Sequence, residues 1–398
     1  MVVGDASMEE MRHLPNDLAL AKISQRLRYG NKDEEKIKSL NFEDIPERFK
    51  VTKDGHRFLL YDSGKDDPDR FQIYSTLENL KLMSRFKHWT LDGTFRCTPT
   101  IFYQFYTIHV IIRPNTLARK RMCSVPLVYC LLTNKKYETY KRVFEVIKNH
   151  CSENPESIMT DFEMAAINAV KDVFVGVHHF GCYFHLGQAL WRRVQKEGLA
   201  QLYSDNLTVK KSIKALQALA FVPLDDIAKC FYDLSLDEVI QIDPRIENIY
   251  RYFEKTYLGF HNARMKVITP ARFPPATWNM RQRTIDQLPR TDNMHEAWHK
   301  QFTNNIAVDH PTLTTLLVAI QNEQKDVEKK VQDFFDGKNV SRYGDNSNYE
   351  ASNRRLNNII HTYGQRDLVS YLDSISFNLS LKSFEDPHYN GSSEDEDC

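Results

Sequence analysis

Between residues 56 and 133 the chain alternates short apolar blocks with polar turns, a pattern typical of β-strands. Aromatic and β-branched residues are dense in the last three blocks, as in strands buried within a sheet. The sequence therefore predicts three adjacent strands, preceded by one more strand upstream. The blocks are His56–Tyr61, Trp89–Phe95, Phe102–Arg113 and Ser124–Thr133.

A helical periodicity follows these strand-like blocks. Apolar residues recur every three or four positions in Tyr137–His150, and Glu163–Phe174 has the same helical character. The short run Ser157–Thr160 lies between them and predicts a parallel-type strand. Elements in this order predict an α/β fold in which a mixed sheet is flanked by helices.

The region from Gln188 to Ile285 has a different pattern, because it is rich in Ala, Leu and charged residues and lacks strand alternation. Helical patterning resumes at Pro311, which suits a first helical position, and continues to Phe335. We therefore expect a helical insertion within the α/β core. The predicted domains are a partly helical lead-in (1–85), the first part of the core (86–187), the helical insertion (188–289), the final core helices (290–335), and a linker with short helices and an acidic tail (336–398).

Composition narrows the class of protein without identifying it. The 398 residues are 41% hydrophobic and 27% charged, which is ordinary for a globular chain. We expect no membrane partner, since no apolar run reaches the length of a transmembrane helix. Seven cysteines without a Cys-x-x-Cys pair are typical of reduced thiols in the cytosol or nucleus. A net charge of zero argues against a uniformly basic DNA-coating protein.

Three acidic residues in short motifs are the main candidates for chemistry. Asp92 lies in Leu-Asp-Gly-Thr-Phe, Asp161 in Met-Thr-Asp-Phe-Glu, and Glu296 in Arg-Thr-Asp-Asn-Met-His-Glu. Two strand-borne aspartates and a helix-borne glutamate are what a two-metal phosphoryl-transfer site needs. Simpler interpretations exist, because Asp92 with Gly93 is a common turn dipeptide and Asp161 could cap a helix. Taken together, the three acids favour the metal site.

The order of these motifs resembles the transposase domain of Mutator-like elements, the MULE family. A further motif of that family, Cys-x-x-His, is matched by Cys182 and His185, and the resemblance runs from about Phe86 to about Asn305. It implies an RNase H-like fold with a helical insertion before the last catalytic helix. The implied function is that of a DDE-type transposase, which cleaves and joins DNA strands with two divalent metal ions.

Carried over residue by residue, the resemblance assigns Asp92, Asp161 and Glu296 as catalytic residues and as ligands of Mg²⁺ or Mn²⁺. It places Cys182 and His185 near the DNA strand that is cut. The implied partners are the DNA of element ends and target, with a homo-oligomer assembled on that DNA. The implied location is the nucleus, although Arg119-Lys120-Arg121 is too short to serve as a convincing nuclear signal.

Two features depart from the family pattern. Related proteins often carry an upstream zinc-binding DNA-recognition domain, and no such Cys/His array is seen in the sequence. Asp292 stands where an amide is expected and, four residues before Glu296, is either a spare ligand or a helix cap.

Cys182 and His185 form half of a zinc site without an obvious partner pair. A buried thiol beside a hydrogen-bonded histidine explains them equally well.

A basic segment precedes Glu296 and is the candidate surface for DNA. Aromatic residues interleave its positive charges, as in surfaces that contact phosphates and bases. The alternative is a solvated loop at the rim of the insertion. The residues predicted to bind DNA here are Arg272, Arg281, Arg283 and Arg290.

Two other functions compete with the transposase. His295-Glu296-Ala297-Trp298-His299 matches the zinc-metallopeptidase motif, with Glu323 as a conceivable third ligand. That hypothesis leaves Asp92 and Asp161 unexplained, and the longer motif needs a glycine where Phe302 stands. The second competitor is a catalytically silent, transposase-derived protein that binds DNA or regulates.

Overall fold

The computed structural model describes residues 37, 39–113, 122–234, 237–338 and 347–379. The first 36 residues of the predicted lead-in, the Arg119-Lys120-Arg121 turn and the acidic tail lie outside the described residues. The described chain is mixed α/β. Within it, no helix combines the length and the apolar character needed to cross a bilayer.

The strands are short, and most of them lie in the first half of the chain. They are β1 (Leu59–Asp62), β2 (Phe71–Tyr74), β3 (His88–Thr94), β4 (Gln104–Ile112), β5 (Cys123–Leu132), β6 (Ser157–Thr160), β7 (His178–Gly181), β8 (Phe260–His261) and β9 (Val267–Thr269).

Helices dominate the second half of the chain. They are α1 (Leu77–Arg85), α2 (Tyr137–His150), α3 (Met164–Val173), α4 (Tyr183–Lys196), α5 (Ala200–Asp205), α6 (Leu207–Ala218), α7 (Ile227–Tyr232), α8 (Asp237–Ile242), α9 (Ile246–Phe253), α10 (Pro275–Trp278), α11 (Arg281–Ile285), α12 (Asn293–Ile306), α13 (Leu313–Phe335), α14 (Ser347–Ile360) and α15 (Leu368–Phe377).

The chain divides into two compact units, the first made of residues 1–156, 168–177 and 294–343. This first unit contains five antiparallel strands in the order β1-β2-β5-β4-β3. Every residue of β4 is buried, and so is nearly every residue of β5. Strands covered on both faces lose the alternation of apolar and polar residues, which explains their continuous apolar pattern.

Helix α12 anchors the core of the first unit. Trp298, Phe302 and Ile306 recur every four residues, so they share one face of α12, and all three are buried. The Phe302 ring stacks on Phe105 of β4 with 5.6 Å between ring centroids. Since α12 is fixed by this packing, the polar side chains on its neighbouring face are fixed with it.

The second unit comprises residues 157–167, 178–293 and 344–398 and is mainly helical. Strands β6 and β7 form a parallel pair within it. Its core is built from large apolar side chains, including Trp191, Leu216 and Trp278. The C-terminal helices belong to this unit, because the Tyr371 hydroxyl of α15 donates a hydrogen bond to the Phe221 carbonyl at 2.8 Å.

The predicted strands and helices between residues 89 and 174 are confirmed to within a few residues. The upstream strand predicted at His56–Tyr61 is confirmed by β1, whereas β2, which pairs with it, was not predicted within the lead-in. All four residues of β2 are buried, including Gln72, whose amide donates to Asp62 at 2.7 Å and accepts from the Tyr74 hydroxyl at 3.0 Å. The sequence did not predict this strand because a glutamine is normally expected at an exposed position, whereas Gln72 is buried with its hydrogen bonds satisfied.

Three smaller predictions also need correction. Residues 178–181 form β7, a strand that the sequence analysis did not identify. The insertion contains the β8–β9 hairpin, although its sequence lacks a strand-like alternation. Helix α13 begins at Leu313 rather than at Pro311, because the Thr312 hydroxyl accepts from the Thr315 N–H and caps it.

Candidate functional site

Asp92 lies within β3 of the first unit, and β4 surrounds it with polar neighbours. It pairs with Thr107 across the antiparallel ladder, and Thr90 pairs with His109. Alternate residues of a strand share a face, and directly paired residues share it too. Thr90, Asp92, Thr107 and His109 therefore form one polar patch on a face of the sheet.

The turn interpretation of Asp92 and Gly93 is wrong, because β3 continues through Gly93 to Thr94. An added Cβ at Gly93 would lie 2.6 Å from the Gln104 amide oxygen and 3.1 Å from the Tyr106 ring. Glycine makes room for these side chains of β4. The Gly93 N–H also donates a hydrogen bond to the Asp92 carboxylate at 2.7 Å.

Helix α12 places two histidines over this patch, since residues four apart lie on the same helix face. The Nδ1 atom of His299 lies 3.1 Å from Oδ2 of Asp92. The Thr107 hydroxyl lies 2.6 Å from Nε2 of His295 and 3.1 Å from Nε2 of His299. The Thr90 hydroxyl contacts the remaining ring nitrogen of His295 at 3.2 Å. We refer to Thr90, Asp92, Thr107, His295 and His299 as the Asp92 cluster.

With both histidines neutral, one arrangement of protons satisfies every contact in the Asp92 cluster. A carboxylate only accepts, so His299 donates from Nδ1 to Asp92 and accepts at Nε2 from the Thr107 hydroxyl. The Thr107 oxygen then accepts from Nε2 of His295, whose Nδ1 accepts from Thr90. These proton positions are assigned from the hydrogen-bond network. The result is a directed chain of hydrogen bonds that ends on Asp92.

Burial keeps His295 and His109 neutral. His295 is fully buried, and the ring of His109 stacks on it with 3.6 Å between centroids. Desolvation, reinforced by neighbouring histidines, holds the pKa of His295 well below its usual range, and burial does the same for the pKa of His109. Neutral imidazoles suit the directed chain, because each then has one donor and one acceptor nitrogen.

The metallopeptidase interpretation fits this geometry poorly. Ligand atoms of Asp92, His295 and His299 do lie within 4.8 Å of one another. However, both ring nitrogens of His295 meet threonine hydroxyls. Glu323, the predicted third ligand, instead accepts from the Trp298 indole at 2.8 Å and lies 3.7 Å from Lys330.

Asp161 belongs to the second unit and follows β6 directly. It is more open than Asp92, since 30% of its side chain is exposed against 10% for Asp92. Oδ1 of Asp161 lies 2.9 Å from Nδ1 of His185, on the first turn of α4. The loop after β7 is held here by the Cys182 N–H, which donates to the Thr160 carbonyl at 2.9 Å.

A second polar group lies at the start of α4. Cys182 is the residue before the helix, and its thiol donates to Oδ1 of Asp292 at 2.8 Å. Ligand atoms of Cys182, His185 and Asp292 all lie within 4.8 Å of one another, and all three side chains are buried. We refer to these three residues as the thiol cluster. The sequence hinted at Asp292 through its departure from the expected amide, but not at its pairing with Cys182.

Glu296 occupies the first turn of α12 and is half-buried. It is absent from the groups of described residues whose ligand atoms lie within 4.8 Å of one another. Asp292 precedes α12, which begins at Asn293, so it is not on the helix face it was expected to share with Glu296.

One segment of the chain, which includes the two strand-borne aspartates, matches a protein-family model. Residues 88–189 match the MULE transposase domain. The match contains Asp92, Asp161, Cys182 and His185, whereas Glu296 lies beyond it.

No curated protein matches the chain. Among solved structures, the Drosophila P element transposase strand transfer complex is similar at 10% sequence identity and a TM-score of 0.22. That similarity covers 79% of this chain and 83% of that chain.

The arginines predicted to bind DNA all lie beyond the MULE match, and three of them are engaged inside the second unit. Arg283 is 2% exposed and donates to the Pro289 carbonyl at 2.8 Å and to Ser157 at 3.0 Å. Arg281 donates to the carbonyls of Phe221 and Ile360, at 3.2 and 3.1 Å.

Arg290 is 7% exposed and donates to the amide oxygen of Asn353. Arg281, Arg283 and Arg290 therefore make internal contacts, and their role in binding DNA stays a prediction. Arg272 is exposed, with its guanidinium 5.3 Å from the centroid of the Phe273 ring, and stays a candidate for DNA contact.

Proposed function

We propose that this chain is a DDE-type DNA transposase, or a relative derived from such an element, with an RNase H-like core. Asp92, Asp161 and Glu296 would supply the catalytic carboxylates. The observation that carries the proposal is the MULE match over residues 88–189, which includes both aspartates. The order of elements along the chain also supports it, since an antiparallel meander (β3–β5) precedes a helix and a parallel pair (β6–β7).

The surroundings of the two aspartates support a role as ligands of hard cations. Carboxylate oxygens are the donors that Mg²⁺ and Mn²⁺ prefer. When bound, two such ions activate the attacking oxygen and stabilise the leaving oxygen of the phosphodiester. His299 orients the Asp92 carboxylate and His185 orients the Asp161 carboxylate, each through a nitrogen–oxygen contact of about 3 Å.

DNA is the proposed partner, and the β8–β9 hairpin is the proposed contact surface on the second unit. Arg264 and Lys266 are exposed on this hairpin, together with the apolar side chains of Val267 and Ile268. Basic residues bind phosphates, and exposed apolar side chains can wedge against base steps. Assembly as a homo-oligomer on DNA and action in the nucleus are part of the same proposal.

The experiment is nicking of a labelled DNA duplex by the purified protein, with Mn²⁺ and with chelator. The variants are Asp92→Asn, Asp161→Asn and Glu296→Gln, and the matched control is Asp172→Asn, an exposed carboxylate on α3 that accepts from the Tyr137 hydroxyl. We expect cleavage that requires Mn²⁺, falls by at least about a hundredfold in the three variants, and is unchanged in the control.

Full cleavage by any of the three variants would overturn the assignment of that residue. Absence of cleavage by the unmodified protein, with DNA binding that survives Asp92→Asn, would assign the chain to the catalytically silent class instead.

A further inference from the structure

The thiol cluster of the second unit combines three kinds of metal ligand in a buried place. Cys182 is fully buried, Asp292 is 3% exposed and His185 is 9% exposed. Their ligand atoms all lie within 4.8 Å of one another. A thiol, an imidazole and a carboxylate are the ligand types that Zn²⁺ uses in proteins, whereas Mg²⁺ takes oxygen alone.

The Asp292 carboxylate is buried beside the Cys182 thiol, which approaches its Oδ1 atom at 2.8 Å. Buried carboxylates in proteins are paired or coordinate a metal. Loss of the thiol proton to a bound cation would convert this contact into two ligands of one ion.

The fold brings the three ligands together from distant parts of the sequence. Cys182 and His185 lie at the start of α4, one helical turn apart. Asp292 is positioned by the preceding segment, since the Tyr183 N–H donates to the Arg290 carbonyl at 3.0 Å. The His185 ring is itself held by Asp161, 2.9 Å from its Nδ1 atom. A carboxylate behind a metal-binding histidine is a common arrangement that fixes the ring.

We propose that Cys182, His185 and Asp292 bind one Zn²⁺ ion or a similar thiophilic divalent cation. Three protein ligands leave one tetrahedral position for water or another ligand. The contrast with the Asp92 cluster is chemical, because three of the four ring nitrogens there meet threonine hydroxyls, the fourth meets Asp92, and no thiol belongs to that cluster. This proposal does not depend on DNA cleavage.

The test is metal binding by the full chain in the absence of DNA. The protein is stripped with chelator, reloaded with Zn²⁺ or Co²⁺, and its metal content is measured after dialysis. We expect one ion per chain and, with Co²⁺, the ultraviolet charge-transfer absorption of a thiolate ligand. Asp292→Asn is expected to weaken affinity by about 10–100-fold, and Cys182→Ser to abolish the absorption.

The matched control is Cys230→Ser, which alters another buried thiol of the same unit, 3.5 Å from the Tyr363 hydroxyl. It should retain the ion and the absorption. Zn²⁺ should also raise the melting temperature of the unmodified protein but not that of Cys182→Ser. The absence of thiolate absorption in the unmodified protein, or its persistence in Cys182→Ser, would overturn the proposal. Because no cleavage is measured, this failure is distinct from failure of the transposase assignment.

Discussion

Asp92 and Asp161 each approach an imidazole nitrogen on a helix, at 3.1 and 2.9 Å, but their surroundings differ. Asp92 ends a directed chain of hydrogen bonds in the dry core of the first unit. Asp161 is three times more exposed, with 30% of its side chain accessible against 10%. The contact between aspartate and histidine is thus part of an internal hydrogen-bond network in the first unit, whereas in the second unit it is accessible to water.

The largest effect that we predict concerns the stability of the Asp92 cluster. Thr107→Val keeps the shape of the side chain but removes the hydroxyl that contacts both His295 and His299. Buried ring nitrogens then lose a partner, so we expect the free energy of unfolding to fall by about 2–4 kcal/mol. Urea unfolding of the purified protein measures it.

The control for this substitution is Thr139→Val, another buried threonine of the first unit, whose hydroxyl donates to Asn134 at 2.8 Å. A loss of about 1 kcal/mol is expected there. A loss of unfolding free energy in Thr107→Val no larger than in Thr139→Val would mean that packing alone positions His295 and His299. The hydrogen-bond network would then not distinguish Asp92 from Asp161.

A second prediction compares the two histidines directly through metal-dependent DNA nicking. His299→Gln should lower the rate by about 10–100-fold, because the buried Asp92 carboxylate loses its orienting partner. His185→Gln should cost less than about tenfold, since water can reach Asp161 and replace the contact. His150→Gln, at an exposed histidine, is the control. Equal losses at His299 and His185 would contradict the role given to solvent exposure.

The smallest predicted effect is a pH dependence of the unfolding free energy, which His109 of the first unit causes. Burial lowers the pKa of His109, and the nearby Lys330 ammonium adds to the effect. Below a pH of about 6.5 the unfolded chain binds a proton at this residue that the folded chain does not. Stability is therefore fully present above that pH and is lost as the pH falls.

His109→Gln should reduce the pH slope of the unfolding free energy by up to about 1.4 kcal/mol per pH unit below pH 6.5. Urea unfolding between about pH 5 and pH 7.5 measures the slope. An unchanged slope would mean that His109 has an ordinary pKa in the folded chain and that its ring is accessible to water.

Sequence reasoning located both aspartates because each follows or ends an apolar run, which is a strong local signal. It noted His295 and His299 only within the metallopeptidase motif, which it disfavoured, and did not connect them with Asp92. Their true partners include Thr107, and threonine in a strand attracts no attention because it is an ordinary strand former. Pairing across a sheet is not visible in the spacing of residues along one strand.

The missed strand β2 and the unexpected burial of Arg283 have a shared cause. Gln72 hid a buried strand, and Arg283 was taken as a surface residue, because polar residues are normally exposed. Both are buried with hydrogen bonds that satisfy them. Such partners come from distant segments, and sequence alone does not reveal which polar residues have them.

The register between β3 and β4 has a consequence for how this domain can vary. Because neighbouring residues of a strand point to opposite faces, a shift of one residue would turn Thr107 and His109 away from Asp92. The ladder itself could still form. A single-residue insertion in the connection over residues 95–103 could therefore leave a folded sheet while it dismantles the Asp92 cluster. The length of the β3–β4 connection is therefore constrained by the need to keep the Asp92 cluster assembled, even though this connection contributes no residue to the cluster.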